Sequence, residues 1–164
     1  MKSPVLLIAV SALLLSCTQE TKVKESFDPK KEVEKVALVL EKYVIANETQ
    51  NLNLVKEVWA SKPDILVFGT NSDETIIGWE AIKNTLKKQF ETIDDTYISV
   101  RDQRIEINET GNTAWFSEFV NYNYIYQDKP VKYEGLRFTG VLEKINGEWL
   151  IVQSHMSIPG SPVE

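Results

Sequence analysis

The side chains of this 164-residue sequence whose type and setting best suit a site are one histidine, a mid-strand arginine and a carboxylate on an apolar face, all in its last third. The only histidine, His155, lies in a run from Glu148 to Ile158 that alternates as a strand does. A strand turns every second side chain to the same face. One face then carries Trp149, Ile151, Gln153, His155 and Ser157, and the other carries Leu150, Val152, Ser154, Met156 and Ile158. Arg137, in the preceding run from Lys132 to Ile145, shares a face with Thr139 and Val141. Asn146-Gly147 joins the two runs, and this is the pair that a two-residue type I′ turn demands, with both residues at positive φ. An imidazole and a guanidinium are thereby placed in neighbouring strands. Glu118 adds a carboxylate to the face of a third run that also carries Ala114, Phe116, Val120, Tyr122 and Tyr124. The expectation is that Arg137, His155 and Glu118 line one cavity, with Ser157 adding a hydroxyl. A few converging polar groups in an apolar cavity are the usual mark of a ligand site. Arg137 is its expected anion-recognising group, since the planar fork of arginine suits a carboxylate. Two plainer readings stay open: an Arg137–Glu118 ion pair near the sheet edge, and a core histidine. Which sheet face is concave also stays open.

Other chemistries are disfavoured. There is no Gly-x-Ser-x-Gly elbow, and no placed Asp completes a triad with Ser157 and His155. One histidine and a single cysteine, Cys17, make a zinc site improbable. Asp94-Asp95 reads as a solvated turn, because no further carboxylates gather near it to complete an oxygen shell. No metal or cofactor is expected. A net charge of −6 argues against nucleic acid, whose phosphates call for clustered Lys and Arg. Tyr43, Trp59, Trp79 and Trp115 are expected to line the cavity or fill the core, large aromatics burying much area in either case.

The elements that must position these groups follow in order. Residues 1–16 pair one cation, Lys2, with an apolar run from Val5 to Leu15, the pattern of a secretory leader. Leu14-Leu15-Ser16-Cys17 looks like a bacterial lipobox, so Cys17 is the expected lipidation site and the cell envelope the expected location, with the membrane reached only through the lipid. Residues 17–28 read as a polar tether, and residues 29–160 as one domain. Asp28-Pro29 suits a helix start. The helix after it carries Val33, Val36, Ala37, Leu40 and Val44 on one stripe, with Glu32, Glu34, Lys35 and Lys42 largely outside. Asn51 can cap a short second helix that ends at Lys62-Pro63. Ile65 to Phe68 reads as a strand, Thr70 to Thr75 as a polar loop, and Trp79, Ile82, Leu86 and Phe90 as the stripe of a third helix. Thr96 to Ile107, Thr113 to Tyr126 and the closing hairpin are strands. Helices first and an antiparallel meander afterwards give an α+β domain, a curved sheet wrapped around about three helices. The long strand from Thr113 to Tyr126 carries large residues on both faces, so a homodimer through the exposed sheet face is expected.

The run Arg137-Phe138-Thr139, then Asn146-Gly147-Glu148-Trp149, then His155-Met156-Ser157 resembles the closing hairpin of SnoaL-like members of the nuclear transport factor 2-like superfamily. It is especially similar to the association domain of calcium/calmodulin-dependent protein kinase II and its bacterial relatives. Those proteins tend towards a His-x-His-x-Ser ending, and here Gln153 stands in place of the first His. The resemblance implies a cone-shaped, cystatin-like α+β barrel. It also leaves three functions open: a binding module for a small molecule or peptide carboxylate, a proton-transferring isomerase, cyclase or dehydratase, and an assembly domain. Glu118 is the only comparable base for the second of these, and a paired Arg137 would weaken it by lowering its pKa.

Overall fold

The computed structural model describes residues 27–160, so the leader, Cys17 and most of the tether lie outside the described residues. Helices α1 (Pro29–Glu48) and α2 (Leu52–Val58) come first, followed by strands β1 (Leu66–Phe68) and β2 (Thr75–Ile77) and helix α3 (Trp79–Phe90). Strands β3 (Ile93–Ile107), β4 (Thr113–Tyr126), β5 (Lys129–Ile145) and β6 (Glu148–Ser157) complete the domain. They form one sheet in the order β2-β1-β6-β5-β4-β3. All neighbours are antiparallel except β1, which runs parallel to β6 and so departs from a pure meander. The expected loop from Thr70 to Thr75 is shorter than read, because β2 starts at Thr75 and folds back on β1.

Local chemistry sets the element ends. Asp28 caps α1, its carboxylate accepting from the Lys30 amide at 3.1 Å, with Pro29 in the first turn. Asn51 caps α2 by accepting from the amides of Asn53 and Leu54. Asn146 (φ 53°) and Gly147 (φ 93°) make the β5–β6 turn. Strand β5 begins at Lys129, three residues before Lys132, and so contains Pro130. That end of β5 pairs with β4 but extends past β6, which reaches only to Arg137. On this free edge the missing amide of proline breaks no ladder.

Val36 and Leu40 of α1, Val55 and Val58 of α2 and Ile82 of α3 are buried against the inner sheet face. That face supplies Phe116, Val120, Leu136, Phe138, Leu142 and Ile151. Burying one such side chain contributes about 1.5–3 kcal/mol. One residue that helical spacing leaves outside the stripe is buried here as well. Glu32 is only 7% exposed, and it accepts hydrogen bonds from Lys35 Nζ (2.9 Å), Lys144 Nζ (2.8 Å) and Trp149 Nε1 (2.7 Å). It ties the start of α1 to the closing hairpin.

Irregularities curve the sheet. Register shifts at Asp94/Tyr97 and Arg101/Arg104 contain Asp95 (φ 47°) and Asp102 (φ 54°), in the left-handed region that Asp tolerates. Opposite Val120 and Tyr122, β5 carries an extra residue at Gly135 (φ 65°), whose amide donates to Asn121 Oδ1 at 2.9 Å. In β6 the extra residue is Val152, between the pairs Leu142–Ile151 and Val141–Gln153. A bulge bends its strand and adds twist. It also exchanges the faces of all residues beyond it.

Candidate functional site

That exchange decides what the cavity contains. Trp149 and Ile151 point into the core, as strict alternation requires. After Val152 the inward positions are Ser154 and Met156, while Gln153, His155 and Ser157 move to the outer face. The bulge at Gly135 does the same in β5, so Tyr133 and Leu136 both face inward, followed by Phe138, Gly140 and Leu142.

Between this inner face, α3, the end of α1 and the β1–β2 loop lies a cavity of about 550 Å³. Its walls hold five of the six tyrosines of the chain: Tyr43 from α1, Tyr122, Tyr124 and Tyr126 from alternate positions of β4, and Tyr133 from β5. The rings interlock. Tyr43 stacks on Phe138 at 5.0 Å between centroids, Tyr124 on Tyr133 at 6.4 Å, and Tyr122 meets Tyr124 edge-on at 5.9 Å. Such pairs add about 0.5–1.5 kcal/mol each beyond the area they bury. The polar groups deep in the lining are Asn47, Gln89 and Ser154. Asn47 donates to the Tyr43 carbonyl at 2.8 Å. Tyr122 donates its hydroxyl proton to Asn47 Oδ1 and accepts from Gln89 Nε2, both at 3.4 Å.

The ionisable lining side chains other than tyrosines are Glu74 and Lys88. Glu74 is held by its own loop, accepting from the Asn71 amide. Burial pushes the phenols of Tyr43 and Tyr122 far above their ordinary range; the Glu118 charge raises Tyr43 further, and the charges of neighbouring groups, with Tyr43 first, do so for Tyr122. Burial thus favours the protonated phenols, which suits them as hydrogen-bond donors rather than bases. The interior can therefore stack on a flat molecule and hydrogen-bond it; it holds no imidazole, and its one carboxylate, Glu74, is bonded within its own loop.

The residues expected from sequence divide accordingly. Tyr43 and Trp59 line the cavity. Trp79 is half-buried and packs against the core without reaching the cavity lining. Arg137, His155, Ser157 and Trp115 do share one face, linked by the pairs Arg137–Ser157, Thr139–His155 and Trp115–Val141, but it is the outer one. Trp115 is 49% exposed there. Glu118 faces inward and is buried, yet it lies outside the cavity lining and accepts from Gln103 Nε2 at 2.7 Å. Burial raises its pKa, and the Gln103 bond partly offsets this. Arg137 donates instead to the Ile158 carbonyl at 3.3 Å. Arg137 and Glu118 both border a shallow groove of about 510 Å³ beside the Asp102 bulge, but from opposite faces. The register explains this, since Phe119 sits opposite Arg137 and Glu118 opposite Phe138. The expected common cavity of Arg137, His155 and Glu118 is thus corrected: the three do not meet.

Of the tyrosine wall only Tyr43 is expected from sequence; Tyr122, Tyr124, Tyr126 and Tyr133 are not, nor are Asn47, Gln89 and Ser154. A signal for the wall was present in tyrosines at positions 122, 124 and 126, which must share one strand face. Nothing in spacing marks Ser154 as inward, because only the Val152 bulge turns it so.

Known proteins agree with this architecture. An 18% identical nuclear transport factor 2-like superfamily protein from Salmonella enterica serovar Typhimurium aligns with a TM-score of 0.72, over 80% of this chain and 94% of its own. A candidate calcium/calmodulin-dependent protein kinase II association domain from Xanthomonas campestris is 22% identical, with a TM-score of 0.65 over 77% of this chain and 87% of its own. A candidate dehydratase of the same superfamily from Streptomyces avermitilis is 15% identical, with a TM-score of 0.71 over 81% of this chain and all of its own (100%). At these identities the likeness establishes the fold. No curated protein matches the chain. The SnoaL-like domain family model matches residues 36–161, and the chain belongs to the SnoaL-like domain family.

Proposed function

We propose that the domain is a binding module for a small, planar, uncharged molecule, held in the tyrosine-walled cavity. The observation that carries this reading is the lining itself. It combines five tyrosines, stacked rings and a few amide and hydroxyl groups, with no imidazole and with one carboxylate, Glu74, which is held by its own loop. Mostly apolar cavities of this size with a few placed polar groups suit small ligands. An anionic ligand is disfavoured, because Arg137 stands on the outer face and the one lining cation, Lys88, is exposed to solvent. A proton-transfer enzyme is the alternative that the candidate dehydratase from Streptomyces avermitilis brings to mind. It would have to work through Glu74 or Lys88.

We further propose that Cys17 carries a lipid that tethers the domain in a bacterial envelope, and that two copies pair through the outer sheet face, where Trp115 is half exposed. The candidate kinase association domain from Xanthomonas campestris supports the assembly reading. Thermal shift of the full chain against neutral phenols and aryl ketones, with matched carboxylates alongside, tests the ligand reading. Stabilisation by the neutral set and not by the acids is expected. Stabilisation by acids alone, or by nothing at millimolar concentration, refutes it. Membrane fractionation of Cys17→Ser tests the anchor: the variant should lose the lipid mass and leave the membrane fraction.

A further inference from the structure

Four polar or charged side chains of the described residues are buried: Glu32, Asn47, Glu118 and Ser154. Three of them are satisfied by the protein. Glu32 accepts from Lys35, Lys144 and Trp149, Asn47 bonds the Tyr43 carbonyl and the Tyr122 hydroxyl, and Glu118 accepts from Gln103. Ser154 is the exception. It is 2% exposed, it lines the cavity, and its hydroxyl has no hydrogen-bond partner among the described residues.

The surroundings explain why no partner is supplied. Ser154 pairs with Val67 on one side and Gly140 on the other. Gly140 cannot be replaced by a residue that reaches over, since a Cβ there would lie 2.5 Å from the Gln153 carbonyl oxygen and 2.6 Å from the Phe116 ring. The next inward position along β6 is Met156. Folding therefore places a hydroxyl in an apolar part of the wall, by means of the Val152 bulge, and leaves it bare. Among the described residues the only sealed side-chain polar atom without a hydrogen bond is Thr96 Oγ1, so the unpaired Ser154 hydroxyl opens onto the cavity, where a bound molecule can reach it.

We propose that Ser154 is the polar anchor of the cavity, exchanging a hydrogen bond with the hydroxyl or carbonyl oxygen of a planar neutral ligand such as a phenol or an aryl ketone. The inference rests on the binding reading given above and adds the residue that selects among ligands. A hydrocarbon of the same shape would fill the cavity but leave the hydroxyl unpaired, so the oxygenated molecule is preferred. Serine can donate or accept, which suits either a carbonyl or a phenol.

The test is calorimetric titration of the full chain in mild detergent with 2-naphthol and with naphthalene, for the wild type and Ser154→Ala. The wild type should prefer 2-naphthol, and the alanine variant should lose that preference by about tenfold, as expected for one net hydrogen bond, while still binding naphthalene. Removing an unpaired hydroxyl should leave the melting temperature unchanged or raise it. Ser154→Cys, which keeps the shape but weakens the hydrogen bond, serves if the alanine chain is unstable. An unchanged preference in both variants overturns the anchor and leaves the binding reading standing, which is also the result if the hydroxyl merely holds a water. Failure of both probes to bind the wild type removes the binding reading and the anchor together.

Discussion

Protonating Glu32 should loosen the start of α1 from the closing hairpin, and the effect can be sized. Burial alone would push this carboxyl up. The hydrogen bonds from Lys144, Lys35 and Trp149 outweigh burial and hold it at about 2, against an ordinary 4.5. At about 1.4 kcal/mol per unit, the difference corresponds to about 3 kcal/mol of stability. Because the folded pKa is depressed, this contribution is fully present above pH 4.5 and is lost as the pH falls towards 2. Three or so kcal/mol is a large fraction of the total stability of a domain this size. Glu32→Ala should cost more, about 3–5 kcal/mol, since it leaves the buried Trp149 N–H and Lys144 without their acceptor. Glu32→Gln keeps an acceptor for Trp149 and should cost about 2–3 kcal/mol. Urea unfolding followed by tryptophan fluorescence between pH 7 and pH 3 would measure all three chains. The gap between wild type and Glu32→Gln should close as the pH drops below 4.5, even though other carboxylates change both curves. A gap that stays constant down to pH 3, or a loss below 1 kcal/mol for Glu32→Ala, would refute the reasoning.

Glu118 should behave in the opposite sense. Burial raises its folded pKa, so whatever stability it contributes is present below pH 4.5 and is lost as the pH rises through the folded value. Glu118→Gln, which can still accept from Gln103, should therefore raise the unfolding midpoint at pH 7, with no gain near pH 4. Gly140→Ala should destabilise by about 1–3 kcal/mol through overpacking against Phe116 and the Gln153 carbonyl, measured by the same unfolding curves. Arg137→Ala should change stability by no more than about 0.5 kcal/mol and leave thermal shifts by cavity ligands intact, because its side chain lies on the outer face.

Most of the frame could be read from residue types. Asp28 and Asn51 fix two helix starts by capping, Asn146-Gly147 fixes the closing turn, and β4 alternates from Thr113 to Tyr122. These are local interactions, and local chemistry is what a sequence displays. Glu32 could not be read, because its partners Lys144 and Trp149 stand 112 and 117 residues away. Strand β2 could not be read either: three residues are too few for a period, and Thr75–Ile77 becomes a strand only by pairing with β1. The site fared worst. Alternation puts Arg137, His155 and Ser157 on one face, but a face becomes inner or outer through the register of the whole sheet.

That register turns on single inserted residues, and it determines what chemistry the cavity can perform. Had β6 kept strict alternation after Trp149 and Ile151, Gln153, His155 and Ser157 would have followed them inward. The cavity would then hold an imidazole, and proton transfer would be within reach. With Val152 inserted, the same sequence presents Ser154 and Met156 to the interior and sends His155 outside, against the edge of Phe68. One extra residue thus takes the imidazole out of the wall without altering the His155-Met156-Ser157 motif. Within this fold, the presence of an Arg, a His and a Ser in the closing hairpin does not by itself define an active site. Their position relative to the bulge decides whether they enter the cavity, and here it leaves them on the outer face.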